Sequence, residues 1–247
     1  STETAANDLT KLQTAVDTGI TDYGDALGII EDYAQTDGAD PAPTAADYSI
    51  AGVDLGGSPL TEADMTTAVN ELLADSDVVG TEVDSTIKVQ AVVDTYGEIL
   101  NAAEDPNGTL SLDETDYALL GVEGLTSEAA DLLSDALPGK DVSDLSTAAE
   151  LENLASTALR VTGTADDTPA QPPLTAAELT ALGIASVTDD NLEAVVAAIA
   201  SQPDGTAVND LTLLGNVASG AIAGFDTALG KVQVYAGDDQ TAVVSGS

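Results

Sequence analysis

The chain has 247 residues, of which 44 are acidic and only five are basic, so its formal charge at neutral pH is −39. Nucleic acids and anionic membrane surfaces bind clustered Lys and Arg, which this composition does not supply. Without Cys or His, disulfides, thiol catalysis and most zinc sites are also excluded.

The acid excess also bears on where the protein works. Self-repulsion of this size is tolerated where salt or divalent cations screen it, which predicts an extracellular, cell-surface location. The interior of a halophile is the alternative. No stretch reaches the roughly 18 apolar residues of a membrane-spanning helix, so we expect no membrane insertion.

Residues 1–41 are predicted to form the long helix of a partial first repeat. The segment Lys11–Val16 (KLQTAV) echoes Lys88–Val93 (KVQAVV), and Tyr23–Leu27 echoes Tyr96–Leu100. The two echoes differ in spacing by about one helical turn, which predicts a one-turn insertion in the first helix. Such a helix needs a partner, which is either the next repeat or another molecule.

Three segments further along the chain share one local pattern. A Thr or Asp is followed after three residues by an acid and after eight residues by a glycine. The three copies are Thr44–Asp47–Gly52, Asp113–Asp116–Gly121 and Thr175–Glu178–Gly183. The first two side chains form a capping box at a helix start, and the glycine suits the left-handed conformation that ends a helix. The pattern predicts a short helix in each copy.

Two further helices complete each predicted repeat. An aliphatic residue and a capping threonine open the second helix, in Leu60–Thr61, Leu125–Thr126 and Val187–Thr188. A longer third helix carries an apolar stripe at helical spacing, which is clear in 89–103 and 211–229 and weaker in the middle copy. Each repeat is therefore expected to run short–medium–long.

The predicted fold class is all-α, with tandem three-helix repeats stacked as bundles. The repeats are expected to span residues 42–108, 109–172 and 173–230. A unit of this size alone buries only about 60% of the surface of its unfolded chain. Stacking on a neighbour buries more, which is a physical reason for tandem copies.

Residues 231–247 are predicted to form a short C-terminal β-hairpin, because their apolar residues alternate around Gly-Asp-Asp. Since an isolated hairpin is only marginally stable in water, we expect it to dock, by strand addition, on a neighbouring copy of the protein. The alternative is a hairpin packed on its own bundle, or a frayed tail. The predicted interface residues are Val232, Val234, Tyr235, Val243 and Val244.

The turn around Gly108 is a candidate calcium site. Its oxygen-bearing residues are Asp105, Asn107, Ser111, Asp113 and Glu114. The loop is shorter than the twelve residues of an EF-hand, and its glycine comes fourth rather than sixth. The alternative interpretation is a turn between repeats, in which Asp113 caps the next helix.

Adjacent acidic pairs are the other candidate for chemistry. They are Asp166–Asp167, Asp189–Asp190 and Asp238–Asp239. Catalytic carboxylates need contrasting environments that separate their pKa values. All three pairs lie in predicted loops or helix starts, which favours a solvated surface over an active site. We therefore expect no enzymatic activity.

The repeat resembles the Ala/Asp/Thr-rich helical tandem repeats of large secreted bacterial surface adhesins and biofilm-matrix proteins. The likeness is carried by Thr44–Val53, Leu174–Ile184, Val187–Leu192 and Lys88–Asp94. It implies an extracellular, non-enzymatic role and transfers no catalytic residue.

Three functional hypotheses follow from the sequence. The leading one is an extracellular structural protein, either the subunit of a surface filament or layer or a stalk segment of an adhesin, with other copies or tandem neighbours as its partners. The second is a surface module that binds calcium or another ligand. The third, a halophilic enzyme, requires a concave pocket with converging carboxylates.

Overall fold

The structure is a computed structural model that describes residues 2–75, 78–145, 147–168 and 170–244. Within these ranges all regular structure is helical, and no strand occurs. The predicted all-α class is confirmed.

Ten α-helices and three short 3₁₀ turns are present in the described ranges. The helices are α1 (Thr2–Gln35), α2 (Ala45–Ile50), α3 (Glu62–Leu73), α4 (Thr86–Glu104), α5 (Glu114–Ala118), α6 (Ser127–Ala136), α7 (Ala148–Ala165), α8 (Ala176–Leu182), α9 (Leu192–Ala200) and α10 (Leu211–Val244). The first, second and third 3₁₀ turns are Gly80–Glu82, Val142–Leu145 and Gly205–Val208. After α1, the order short helix, medium helix, 3₁₀ turn, long helix occurs three times.

The three short helices begin and end as their local sequence predicts. Each of α2, α5 and α8 starts with a complete capping box. In α2, for example, the Thr44 N–H donates to the Asp47 carboxylate over 2.8 Å, and the Thr44 hydroxyl accepts from the Asp47 N–H. Just past each helix, a glycine has a positive φ, which is +78° at Gly52 and +80° at Gly121. Because L side chains rarely adopt this conformation, glycine is required to turn the chain there.

The chain forms two compact units that are interleaved in sequence. The first contains Ser1–Gly124 and Leu137–Glu152, and the second contains Leu125–Ala136 and Asn153–Ser247. Helix α6 therefore belongs to the second unit, whereas the second 3₁₀ turn belongs to the first.

The core of the first unit is built around α4. Its apolar stripe, predicted from helical spacing, is buried along its whole length, from Val89 to Ala103. Tyr96 lies in this stripe, and its hydroxyl donates to the Leu145 carbonyl over 2.6 Å. Burial raises the pKa of Tyr96 above its ordinary value. Tyr48, Tyr96 and Tyr117 are all buried in this unit, whereas Tyr23 is 40% exposed.

The core of the second unit lies around the N-terminal half of α10, where Leu214 and Ala218 are fully buried. This half packs against α9, the third 3₁₀ turn and α6. At its first turn, the Leu211 N–H donates to the Asp135 carboxylate of α6 over 2.7 Å. A negative charge at a helix N-terminus is favourable because the helix dipole is positive there.

The predicted β-hairpin is wrong, because the backbone from residue 231 to residue 244 continues α10. The alternation of Val232 and Val234 fits the period of a strand. Phe225, Leu229 and Val232 also follow helical spacing, and extending an existing helix needs no new nucleus. Val232 and Val234 are exposed on this helix. Tyr235, Val243 and Val244 lie on it too, but their side chains are outside the described part of the structure.

Candidate functional site

Helix α1 carries one apolar row that is covered over only half of its length. Towards its C-terminal end, Ala26, Ile30 and Tyr33 are buried where α1 packs against α2 and the first 3₁₀ turn. The row continues towards the N-terminus as a set of exposed side chains, which we call the α1 stripe. The α1 stripe consists of Leu9, Leu12, Val16, Ile20 and Tyr23.

The apolar positions of the same sequence motif are buried elsewhere in the chain. Leu12 is 62% exposed in α1, whereas Val89, at the corresponding position of the α4 motif, is fully buried. Val16 and Val93 differ in the same way. The sequence predicted that the first helix needs a partner. The structure covers its C-terminal half with the next helices along the chain. It leaves the α1 stripe exposed, apart from a hydrogen bond of 3.1 Å between the hydroxyls of Tyr23 and Thr86.

Helix α10 is covered in the opposite half. The apolar row that begins with the buried Leu214 and Ala218 continues towards the C-terminus as Phe225, Leu229 and Val232, which we call the α10 stripe. Phe225 is half-buried, whereas Leu229 is exposed and Val232 is 64% exposed. Sequence reasoning missed this surface because it ended the helix at Gly230. The continued spacing from Leu229 to Val232 is the signal that could have found it.

The predicted calcium ligands belong to two local hydrogen-bonded motifs. The Asp105 carboxylate accepts from the Asn107 N–H over 2.9 Å, which closes the turn before Gly108. Asp113 caps α5 by accepting from the Thr115 and Asp116 N–H groups. The hydrogen bond from the Thr115 hydroxyl, followed by those from these two N–H groups, lowers the pKa of Asp113.

Ser111 and Glu114, like the three other predicted ligands, are exposed. Within the described residues, no three acidic side chains lie close enough together to hold a metal ion. Calcium binding therefore stays a prediction.

The capping role of Asp113 can be separated from a calcium role by mutation. We expect Asp113→Ala to lower the melting temperature of the first unit by the same amount in calcium and in chelator, because the cap needs no metal. Asp113→Asn retains a good capping residue and should change the melting temperature little in either buffer. A loss that appears only in calcium, and in both variants, would instead assign Asp113 to a calcium site.

A shallow apolar groove of about 590 Å³ lies within the second unit, between the end of α7, the loop that follows it, and α9. Its floor includes Leu174, Leu192 and Val196. Asp167 and Asp189, one from each of two predicted acidic pairs, both line it. The groove is the place in this unit where the ligand of the second hypothesis would fit.

A half-buried ion pair fixes the loop beside this groove. Arg160 of α7 donates to both carboxylate oxygens of Glu178, over 2.6 Å and 3.3 Å, and also to the Pro172 carbonyl. Glu178 at the same time closes the capping box of α8 with Thr175. The hydrogen bonds from Arg160 and Thr175 lower the pKa of Glu178.

This pair predicts a defined pH dependence. Because the pKa of Glu178 is lower in the folded protein, its stabilisation is complete above the ordinary Glu value, about 4.3, and is lost as the pH falls through the folded pKa. Glu178→Gln keeps the capping box and removes the charge. In a double-mutant cycle with Arg160→Met, we expect a coupling of about 1 kcal/mol at pH 7 that vanishes in acid. A coupling that is unchanged in acid would contradict this assignment.

Among the described residues, no helix combines the length and the apolar character needed to cross a membrane. Comparisons of the chain with protein-family models, with curated proteins and with solved structures gave no match. The resemblance to adhesin repeats therefore stays a prediction.

Proposed function

We propose that this chain is a non-enzymatic structural protein of the extracellular surface, made of tandem three-helix repeats. It acts as the subunit of a filament or layer, or as a stalk segment of an adhesin. The observation that carries this proposal is the contrast between α4 and α1. The aliphatic residues of one sequence motif are buried in α4 and exposed in α1.

The packing of the long helices supports a tandem arrangement. The C-terminal half of α1 contacts the helix and 3₁₀ turn that follow it, and α4 likewise contacts the second 3₁₀ turn. The N-terminal half of α10 contacts α9 and the third 3₁₀ turn of its own repeat, and also α6 of the preceding repeat. In this proposal, the helices of a repeat pack both within their own repeat and on the neighbouring one.

The composition supports an extracellular setting for such a scaffold. A charge of −39 on 247 residues opposes close approach of chains unless ions screen it. Calcium or salt outside the cell supplies that screening. The role does not require a catalytic group, since apolar stripes and helix caps are enough to build repeats.

Negative-stain microscopy of the purified protein, in matched buffers with calcium and with chelator, tests the proposal. We expect regular filaments or sheets, and their loss in chelator would show that cations bridge the acidic surfaces. Rod-like single particles in both buffers would exclude the subunit role and leave the stalk. Compact single particles in both buffers would contradict the structural role.

A further inference from the structure

We propose that copies of this chain associate head to tail, with the α1 stripe of one copy packed against the α10 stripe of the next. The inference rests on the structural role proposed above and names its partner, a second copy of the same chain. Each stripe is the continuation of a row that is already buried in its own unit.

Continuity with existing interfaces is the first argument. From Leu9 to Tyr23, the α1 stripe runs for four turns, or about 21 Å at 1.5 Å per residue. It is in line with Ala26 and Ile30, which α2 and the first 3₁₀ turn already cover. A helix laid along the α1 stripe would extend this packed surface. Helix α10 offers such a helix, because its N-terminal half is anchored and its next turns are exposed.

Charge favours this pairing over the pairing of α1 with itself. Along its exposed residues 7–25, α1 carries Asp8, Asp17, Asp22 and Asp25 and a single base, Lys11, so two such helices side by side would repel. Between residues 212 and 234, α10 has one acid, Asp226, and one base, Lys231. In a chain with a charge of −39, this almost neutral stretch is where a second copy can approach at low electrostatic cost.

The geometry of the contact determines the kind of assembly. The two stripes are different surfaces, so each copy that uses one stripe in a contact keeps the other free. A contact of this heterologous kind grows into an open chain of copies unless its rotation closes a ring.

Cross-linking tests the contact directly, because the chain has no native cysteine. Single-cysteine variants Leu12→Cys and Val232→Cys are prepared separately, mixed, and treated with a bis-maleimide cross-linker. We expect a covalent dimer in the mixture and several-fold less with either variant alone. Ile87→Cys, at a residue of α4 that is 82% exposed, replaces Leu12→Cys as the control and should give none. As much dimer from Val232→Cys alone as from the mixture would overturn the proposal in favour of α10 self-pairing, and no dimer in any sample would also overturn it.

A charge placed in either stripe gives an independent measurement. In sedimentation velocity, Ile20→Glu and Val232→Glu should each weaken association by about tenfold or more, because they bury an unpaired charge in the contact. Ile87→Glu should leave it unchanged, and circular dichroism should find all three variants equally helical. Filaments in microscopy without this cross-link or this effect would overturn the α1–α10 contact and leave the structural role standing. Single particles at every concentration would overturn the contact and would indicate that the two stripes bind a different protein.

Discussion

Replacing Tyr96 by alanine is expected to destabilise the first unit by about 3–5 kcal/mol, the usual cost of truncating a buried aromatic side chain. Tyr96 is almost fully buried in the α4 stripe, and its hydroxyl satisfies the Leu145 carbonyl. Two losses therefore add, because the ring leaves a cavity and a buried carbonyl loses its donor.

Tyr96→Phe separates the two losses. It keeps the ring and leaves the Leu145 carbonyl unpaired, so we expect a smaller cost of about 1–3 kcal/mol. Ile87→Ala, at an exposed position of the same helix, is the matched control and should change the stability by less than about 0.5 kcal/mol.

Urea unfolding followed by tyrosine fluorescence measures these differences selectively. Five of the six tyrosines lie in the first unit, namely Tyr23, Tyr33, Tyr48, Tyr96 and Tyr117. Equal effects of Tyr96→Ala and Ile87→Ala would contradict the assignment of Tyr96 to the core.

Two Gly→Ala substitutions in the first unit are expected to change its free energy of unfolding in opposite directions. Gly80→Ala should destabilise the first unit by about 1–3 kcal/mol, because it overpacks the contact between α1 and the first 3₁₀ turn. An added Cβ would lie 2.8 Å from the Glu31 carbonyl oxygen and 3.1 Å from the Gln35 Cβ. The carbonyl belongs to the backbone of α1, so relief of the clash requires the turn and the helix to separate.

Gly97→Ala is the matched control in the same unit. Gly97 lies inside α4, and an added Cβ would meet nothing within 4 Å. Alanine is the better helix former by about 1 kcal/mol, so this variant should be stabilised by up to that amount. The same urea titration measures both variants. A loss of stability in both would mean that helix propensity and open space do not govern these two sites.

The parts of the fold that were predictable from sequence are those that local chemistry decides. Helix α8 begins at a threonine and ends before Gly183 because its capping box and its turn involve only neighbouring residues. The apolar stripe of α4 follows from spacing alone. Local rules were ambiguous at Val232 and Val234, because two alternating valines fit both a strand and the end of a helix. The helix is favoured there because extending an existing helix needs no new nucleus.

The candidate surfaces could not be derived from local rules, because coverage depends on distant residues. Lys11–Val16 and Lys88–Val93 have almost the same pattern, yet only the valines of the second are buried, whereas Leu12 and Val16 of the first are exposed. Tyr23 and Tyr96 differ for the same reason. The grouping of α6 with the second unit likewise depends on tertiary contacts, and the sequence of Ser127–Ala136 alone does not predict it.

The interleaving of the two units has a consequence for how the chain is made. A ribosome releases the chain from its N-terminus, and Gly124 emerges before the first unit is complete, since Leu137–Glu152 belongs to that unit. Until Leu145 has been synthesised, the hydroxyl of Tyr96 lacks the carbonyl to which it donates in the folded unit. At about 5–20 residues per second, this leaves the α4 core incomplete for seconds, with α6 already synthesised and its own partners in α10 still to come. Nascent chains of this protein therefore pass through a stage in which apolar surfaces from both units are exposed together, and the strong negative charge then keeps neighbouring nascent chains apart.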